Sequence, residues 1–439
     1  MKSKVLLMVL ILCILLGGCR EEVGQTGTSS VATVPSTAEP TTVPSTEAVT
    51  EPTAEPTTMP ETVATEPPEE PVAERIRDGV RVLIGGNDQT MVTQDGYYLS
   101  KCYMGVFDSL VLESAQPFSG LYMVWDQNPG KYTLLWEGGS MECGQYGFLH
   151  EYIRLPEAVT RVEVVFETEI FKALCDALFF TEGTAPEGIH DWLPPCEEAD
   201  VLVFPTHSDD DVLFFGALIS DCILGRGLTV QTAFMVDHMG YPERGHERLN
   251  GLWEMGVRYY PILGSAPDTG IRDFNDGMYY YKSSNIEQWQ VEQIRRFKPL
   301  VVIGHDLDGE YGNAGHKVNA HFLTTAMDAA ANPEAYPESA ATYGVWNAPK
   351  MYLHLYPENE ITLEVNVPLE GDPLGRTAFE VAEDAIQCHV SQLRWVQVQQ
   401  GLSRAYDCRF FGLYRSLVGS DTGADIMENI DPVQWRTAP

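Results

Sequence analysis

The strongest constraint on the fold is an alternation of strand-like and helix-like apolar patterns that begins at Ala199. The predicted strands are 201–204, 228–236, 260–263 and 300–304, and the predicted helices are 212–225, 243–255, 286–297 and 316–330. Strands that alternate with helices form a parallel sheet with helices on both faces. Residues 193–439 are therefore predicted to form a Rossmann-like α/β domain. Because no G-x-G-x-x-G follows the first strand, a dinucleotide site is not predicted.

Residues 74–192 have a different pattern, in which short β-branched and aromatic runs are separated by Gly, Asn, Asp and Pro. The main runs are 81–84, 121–125, 132–136 and 162–166. This pattern predicts a small antiparallel β-sandwich, which looks like the galactose-binding-like, jelly-roll modules of extracellular enzymes. Trp125 and Tyr146 are candidates for stacking on a sugar, although such side chains more often belong to the core.

The first 73 residues carry targeting and linker signals. An apolar run of twelve residues follows Lys2 and Lys4, and it is shorter than the roughly 20 residues that span a bilayer. The run ends in Leu-Gly-Gly-Cys, so residues 1–19 resemble a bacterial lipoprotein signal peptide with Cys19 as the lipidated residue; a plain signal peptide is the alternative. Residues 20–73 are rich in Thr, Pro and Glu and predict a disordered tether. The expected location is the extracellular face of the bacterial cytoplasmic membrane, with the lipid anchor as the sole membrane contact.

The net charge and the cysteine positions limit the classes of ligand and partner that the chain can bind. The formal net charge of −35 argues against nucleic acid binding, which requires Lys and Arg patches. Of nine cysteines, seven lie outside the predicted signal, and none of these forms a C-x-x-C pair, so a cysteine zinc knuckle is not predicted. The spacing assigns no disulfide, and no protein partner is implied.

Two loops at predicted strand ends carry histidines and carboxylates, residues 207–211 and 305–316. The carboxyl ends of parallel strands meet at one edge of the sheet, so these loops can converge on one ion. His and Asp ligands suit a catalytic zinc whose fourth position holds water, and a neighbouring carboxylate can act as a base. An acidic turn that caps the next helix is the alternative for the first loop. His316 is the natural third ligand. A supporting or surface role is the alternative for His305 and His321, and it is favoured for His321.

Four motifs in order resemble the LmbE-like, or PIG-L, family of zinc de-N-acetylases. The family's H-P-D-D-E corresponds to 207–211, its Arg-x-x-Glu helix with Leu-Gly-Val to 244–257, its G-E-Y-G-H-x-x-H to 309–316 and its H-x-S-Q to 389–392. The resemblance covers residues 199–419, about half of the chain. It implies the LmbE-like version of the predicted α/β fold.

The resemblance also implies a role for each matched residue. Zinc would be held by His207, Asp210 and His316, the general base would be Asp209, and the sugar hydroxyls would be bound by Arg244. One position departs from the family, because Asn313 replaces the first His of H-x-x-H. Asn can donate a hydrogen bond in catalysis but cannot transfer a proton at neutral pH. His354 and His389 are the candidates for supplying that proton.

The predicted function is that of a zinc-dependent hydrolase acting on a linear amide C–N bond. It would remove the acetyl group from an N-acetylglucosamine-type glycan or glycoconjugate outside the cell. The alternative is a carbohydrate-binding surface lipoprotein with a catalytically impaired deacetylase domain, which Asn313 and the added sandwich favour. The retained ligand set and Asp209 favour the enzyme. A phosphoester hydrolase with two metals would need more bridging carboxylates than these loops supply.

Overall fold

The computed structural model describes residues 70–168, 171–238 and 240–437. The predicted signal peptide, the predicted lipidation site Cys19 and nearly all of the predicted tether lie outside these residues. Within the described ranges, no helix has both the length and the apolar character needed to cross a bilayer. All seven cysteines in this part of the chain are free thiols.

The first folded part is an antiparallel β structure. Its strands are β1 Arg75–Ile76, β2 Val80–Ile84, β3 Asn87–Asp88, β4 Cys102–Met104, β5 Leu110–Trp125, β6 Tyr132–Trp136, β7 Gly139–Cys143, β8 His150–Phe166 and β9 Lys172–Phe180. The long strand β5 is irregular between Glu113 and Gly120. Its first half pairs with β2, and its second half pairs with β9. Both halves bury side chains in one core, so the predicted antiparallel β-sandwich is confirmed.

The two aromatic candidates on this domain have different environments. Trp125 is fully buried and packs edge-on against Tyr132 and Phe166. Trp125 therefore belongs to the core, the more frequent position for such a side chain, and is not available to stack on a sugar. Tyr146 lies in the turn between β7 and β8 and is 51% exposed.

The second part is a seven-stranded sheet with helices on both faces. Its strands are β10 Val201–Val203, β11 Val230–Val236, β12 Ile262–Ala266, β13 Val301–Gly304, β14 Lys350–His354, β15 Glu360–Thr362 and β16 Phe410–Ser416. The strand order is β12-β11-β10-β13-β14-β16-β15; the first five strands are parallel, β16 runs antiparallel to β14, and β15 runs antiparallel to β16 and so has the direction of the first five strands. The predicted Rossmann-like parallel sheet is confirmed, with the antiparallel pair β16 and β15 added at one edge.

The helices cover the two faces of this sheet. They are α1 Asp210–Leu213, α2 Gly216–Ser220, α3 Pro242–Glu254, α4 Phe274–Tyr280, α5 Ile286–Phe297, α6 Ala314–Ala331, α7 Pro337–Tyr343, α8 Ala378–Ile386 and α9 Pro432–Thr437. Val201 and Val203 pack with α2, α3 and α8. Leu202, between them, packs with α5 and α6 on the opposite face. Every residue of β10 is therefore apolar because helices bury both faces of the sheet at this strand.

The predicted helix 212–225 is interrupted. It is divided into α1, α2 and a π-turn at Asp221–Gly225. A Cβ atom on Gly216 would lie 3.1 Å from the Cβ atom of Ala382. This close approach of α2 to α8 shows that packing shapes the segment more than its helical pattern does.

Buried histidines join the sandwich to the α/β domain. The Nδ1 atom of His150, at the start of β8, is 3.1 Å from Nδ1 of His190. The Nε2 atom of His150 is 2.8 Å from Nδ1 of His246 on α3. Phe148 and Trp192 are also buried in the core of the α/β domain. The two domains therefore share an interior.

Candidate metal centre and active site

The loop after β10 carries the first group of predicted site residues. Its backbone is fixed to neighbouring strand ends, because the Thr206 N–H donates to Nε2 of His305 at 2.9 Å. The N–H of Val236 donates to the Thr206 carbonyl from the end of β11. The His207 N–H donates to Oδ2 of Asp210 at 2.6 Å. These hydrogen bonds hold the loop in a conformation that directs the side chains of His207 and Asp210 toward the second predicted loop.

His207, Asp210 and His316 meet at one point. The Nδ1 atom of His207 is 3.1 Å from Oδ2 of Asp210 and 3.2 Å from Nε2 of His316. The distance from His316 Nε2 to Asp210 Oδ2 is 3.2 Å. The structure therefore brings together the three predicted ligands, and their donor atoms form a compact triangle. Two imidazoles and one carboxylate fit a zinc site with an open position.

Each of the two histidines has a carboxylate at its other ring nitrogen. Nδ1 of His316 lies 2.7 Å from Oε2 of Glu310, and Nε2 of His207 lies 3.4 Å from Oδ1 of Asp268. A carboxylate in this position fixes the ring orientation and the tautomer of a metal-binding imidazole. The outer contacts therefore leave the inner nitrogens of both rings free to bind a metal.

Glu310 also accepts hydrogen bonds from two further imidazoles. The Nδ1 atoms of His305 and His354 lie 2.8 Å from its carboxylate oxygens. The other nitrogen of His305 accepts from the Thr206 N–H, so His305 supports the site and is not free to bind a metal. His321 is exposed and lies beside Phe274, away from the cluster. These positions agree with the interpretation of His305 and His321 as supporting and surface residues.

The adjacent carboxyl groups differ strongly in their pKa values. Burial opposes ionisation of Asp210, but His316 and His207 hold its pKa well below the usual range. Burial and the nearby Asp209 raise the pKa of Asp211 well above that range, and neither oxygen of Asp211 has a hydrogen-bond partner among the described residues. A hydrogen bond to His238 is the main cause that lowers the pKa of Asp268 to about 2.

A cavity of about 260 Å³ opens beside the triangle. Its lining comprises His207, Asp209, His238, Tyr241, Glu243, Arg244, Asp268, Thr269, Tyr311, Asn313 and Gln392. Nη2 of Arg244, on α3, donates to Oδ1 of Asp209 at 2.9 Å. The predicted base and the predicted sugar-binding arginine therefore lie together at the cavity wall, next to the triangle.

Asn313, the position that departs from the family, also lines this cavity. Its Oδ1 atom accepts from the N–H groups of Gly315 and His316 at 2.7 and 3.4 Å and so caps α6. The amide nitrogen of Asn313 is therefore its remaining donor. Tyr311 lies beside it in a left-handed conformation, with φ of 46°, and its ring meets that of His316 edge-on. Burial raises the pKa of Tyr311, so its hydroxyl group keeps its proton at neutral pH.

The structure does not bring His354 and His389 to the cavity. His354 is fully buried and uses its second nitrogen on the carbonyl of Asp407 at 2.9 Å. His389 is fully buried against α3, and burial lowers its pKa to about 3. The motif around His389 reaches the site through Gln392 instead, which lines the cavity.

Sequence reasoning missed several contributors to the site. His238 lies two residues after the end of β11, so the rule that ligands gather at strand ends could have identified it. Glu310 and Tyr311 lay within a quoted motif, but their directions depend on the turn that contains them. Asp268 lies two residues after the end of β12, so the same rule could have identified it, although no motif surrounds it.

Known proteins with similar sequences are deacetylases. No family model matches the sequence. The chain is 26% identical over 233 residues to a Catenulispora acidiphila protein named 1D-myo-inositol 2-acetamido-2-deoxy-alpha-D-glucopyranoside deacetylase 1, covering 46% of this chain and 71% of that protein. A Frankia casuarinae protein of the same name is 28% identical over 181 residues, covering 35% of this chain and 57% of the relative. Among solved structures, the N,N'-diacetylchitobiose deacetylase of Pyrococcus horikoshii aligns with a TM-score of 0.34 at 18% identity, covering 45% of this chain and 72% of that one.

Proposed function

This chain belongs to the LmbE-like, or PIG-L, family of deacetylases, and we propose that it is a zinc-dependent hydrolase of N-acetylated sugars. Its substrate would be an N-acetylglucosamine-type glycan or glycoconjugate. The observation that carries the proposal is the triangle of His207, Asp210 and His316, with a carboxylate behind each imidazole. The names of the sequence relatives, which specify a 2-acetamido-2-deoxyglucopyranoside, support the choice of sugar.

The reaction would use the zinc ion and the residues of the cavity wall. His207, Asp210 and His316 would hold the zinc ion, and the bound ion would supply Lewis-acid activation of a water molecule and of the amide carbonyl. Asp209 accepts the proton that the attacking water loses, and its bond to Arg244 keeps the carboxylate in place. The protonated Asp209 then returns this proton to the nitrogen as the C–N bond breaks, giving acetate and a free amine. Tyr311 and the amide of Asn313 are the uncharged donors available to the carbonyl oxygen.

We propose that this reaction takes place outside the cell on a lipid-anchored protein. The support for this location is the sequence around Cys19 alone. The rival candidate, a carbohydrate-binding protein with an impaired site, is favoured by Asn313, which cannot transfer a proton. The proposed return of the proton through Asp209 makes a histidine at position 313 unnecessary.

The test compares metal content and catalysis in the same variants. Asp209→Asn should retain about one zinc per chain, because Asp209 is outside the triangle, and should lose about 10²- to 10⁴-fold in deacetylation rate. His207→Ala and His316→Ala should lose the metal itself. Asp308→Asn changes an exposed carboxylate of the neighbouring loop and should behave like the wild type.

The measurements are metal analysis of the purified protein and release of free amine from a panel of N-acetylglucosamine compounds. Full zinc occupancy in both histidine variants would refute the metal site. Equal activity of Asp209→Asn and wild type would refute the mechanism. A wild type that binds sugars but releases no amine from any compound would establish the rival reading.

A further inference from the structure

We propose that the sandwich and the α/β domain together form an extended cleft for an uncharged oligosaccharide of N-acetylated sugars. This inference rests on the proposed function, because one sugar of the chain would occupy the catalytic cavity. The rest of the glycan would lie across the domain junction. The sandwich would then act as one wall of the substrate site.

The catalytic cavity continues into a larger cleft. A second cavity of about 860 Å³ lies between the sandwich and the α/β domain. His238 and Tyr241 line both this cleft and the catalytic cavity. Binding sites for drug-sized ligands occupy roughly 300–1,000 Å³. The catalytic cavity, at about 260 Å³, suits a single sugar, whereas the adjoining cleft has room for several more.

Exposed aromatic side chains line the cleft. Tyr146 and Phe171 from the sandwich and Tyr241 from the start of α3 line the cleft and are 51%, 70% and 61% exposed. Large aromatic side chains with free faces at the edge of one concave surface are typical of binding sites and atypical of unoccupied surface. Sugar rings present flat C–H faces that such rings can cover.

Tyr146 is also held rigidly in place. Its ring stacks on Phe148 with centroids 5.4 Å apart and an interplanar angle of 23°. Phe148 contacts the ring of Tyr260 in the α/β domain at 4.5 Å, and the Tyr260 hydroxyl accepts from the Leu149 N–H at 2.9 Å. One face of the Tyr146 ring is thus packed against Phe148, which is itself held by residues of both domains. A supported ring loses little conformational entropy when a ligand covers its other face.

The polar lining of the cleft and the net charge of the chain favour an uncharged ligand. Asn128 uses its carbonyl oxygen on the Gly130 N–H, which leaves its amide nitrogen as a donor on the cleft wall. Asp126, on the same wall, is paired with Lys101 at 2.6 Å. Asp237 adds a carboxylate and the buried Arg248 adds one guanidinium, while the whole chain has a net charge of −35. A polyanionic glycan would be repelled, so an uncharged chain is the matching ligand.

The experiment measures deacetylation against substrate length. We expect kcat/KM of the wild type to rise at least tenfold between N-acetylglucosamine and its β-1,4-linked tetramer. Tyr146→Ala and Phe171→Ala should each remove about threefold to tenfold of this gain through KM, and activity on the single sugar should not change. Phe107→Ala is the matched control, because Phe107 is 88% exposed on the same domain but does not line the cleft.

Binding to the Asp209→Asn protein provides a readout that does not need catalysis. Calorimetry should show tighter binding of the tetramer than of the single sugar, and Tyr146→Ala should abolish this difference. Equal kcat/KM for all lengths, or a length dependence that survives in both aromatic variants, would overturn the cleft. Release of no amine from any substrate, together with tetramer binding that depends on Tyr146, would refute the proposed function and leave the cleft standing.

Discussion

One carboxylate, that of Glu310, accepts hydrogen bonds from three imidazoles and so organises the site. It is fully buried, and its two oxygens contact His305, His316 and His354. Burial alone would raise its pKa, but these histidines hold it well below the usual range. The orientation of His316 in the triangle therefore depends on a residue that does not itself face the metal position.

Glu310→Gln tests this dependence. The amide has a similar size, but its NH₂ group donates where the imidazoles need an acceptor. Zinc affinity should fall about 10- to 100-fold, as expected for loss of the partner of a metal-binding histidine. Competition with a chromophoric chelator measures the affinity. Glu334→Gln, at an exposed position after α6, should bind zinc like the wild type; an unchanged affinity in Glu310→Gln would show that the carboxylate is dispensable.

At the residue scale, the sequence predicted which residues form the site better than it predicted the directions of their side chains. Motif matching selected His207, Asp210 and His316, which the structure brings within 3.2 Å of one another. His354 and His389 were proposed as proton donors to compensate for Asn313, and the structure buries both of them. The side-chain direction depends on backbone turns and tertiary packing, which a motif does not record.

At the scale of elements, helix α3 connects the catalytic loop with the rest of the molecule. Arg244 bonds to Asp209 as described, and Arg248 donates to the Ser208 hydroxyl at 2.9 Å. His246, between them, contacts the sandwich through His150. The position of α3 therefore determines where the carboxylate of Asp209 lies and how the two domains contact each other.

Gly251 sets the distance between α3 and the segment that contains His389. A Cβ atom added at Gly251 would lie 2.9 Å from His389 Nε2, and the carbonyl of Ala385 is 3.4 Å away. Gly251→Ala should therefore destabilise the protein by about 1–3 kcal/mol, although Ala favours a helix by about 1 kcal/mol. Urea unfolding measures this change.

The control is the same substitution on the same helix. An added Cβ at Gly245 would meet only the end of the Leu149 side chain at 3.2 Å and the Arg248 guanidinium at 3.9 Å. Both side chains can shift, so Gly245→Ala should be neutral or slightly stabilising. Equal destabilisation by the two substitutions would indicate a general effect on α3 and not a contact at His389.

Most elements of the α/β domain could be predicted because their patterns are long and periodic. The predicted helix 286–297 has the bounds observed for α5. Strands β14 to β16 were not predicted, since β15 has three residues and β16 returns antiparallel to β14 from a distant part of the chain. Long-range pairing of short strands leaves little local signal.

At the scale of the whole molecule, the buried histidines at the junction of the two domains make the free energy of unfolding depend on pH. Burial lowers the pKa of His190 and of His246 to about 3, with smaller contributions from nearby cations such as Arg258. In the unfolded chain both groups titrate near 6.5. Below pH 6.5 both histidines become protonated in the unfolded chain but stay neutral in the folded protein. The stability that they contribute is therefore present above about pH 6.5 and is lost as the pH falls toward 3.

The free energy of unfolding should therefore fall by about 1 kcal/mol for each of these histidines between pH 7.5 and pH 5.5. Urea unfolding at several pH values measures the decrease. His190→Gln removes one titrating group and should flatten the curve, whereas His321→Gln, at an exposed position, should leave its slope unchanged. A His190→Gln protein that loses stability as steeply as the wild type would contradict this account.

The shared interior at the junction limits how this protein can be re-engineered. Binding modules are often exchanged by cutting a chain between domains, and the predicted boundary at 192/193 suggests such a cut. Here Phe148 and Trp192 fill the α/β core from the sandwich side of that cut, so a grafted module would leave a hole in the catalytic domain. Altered glycan specificity is therefore better sought by randomising cleft positions such as Asn128 and Tyr146 while both domains are kept as one unit.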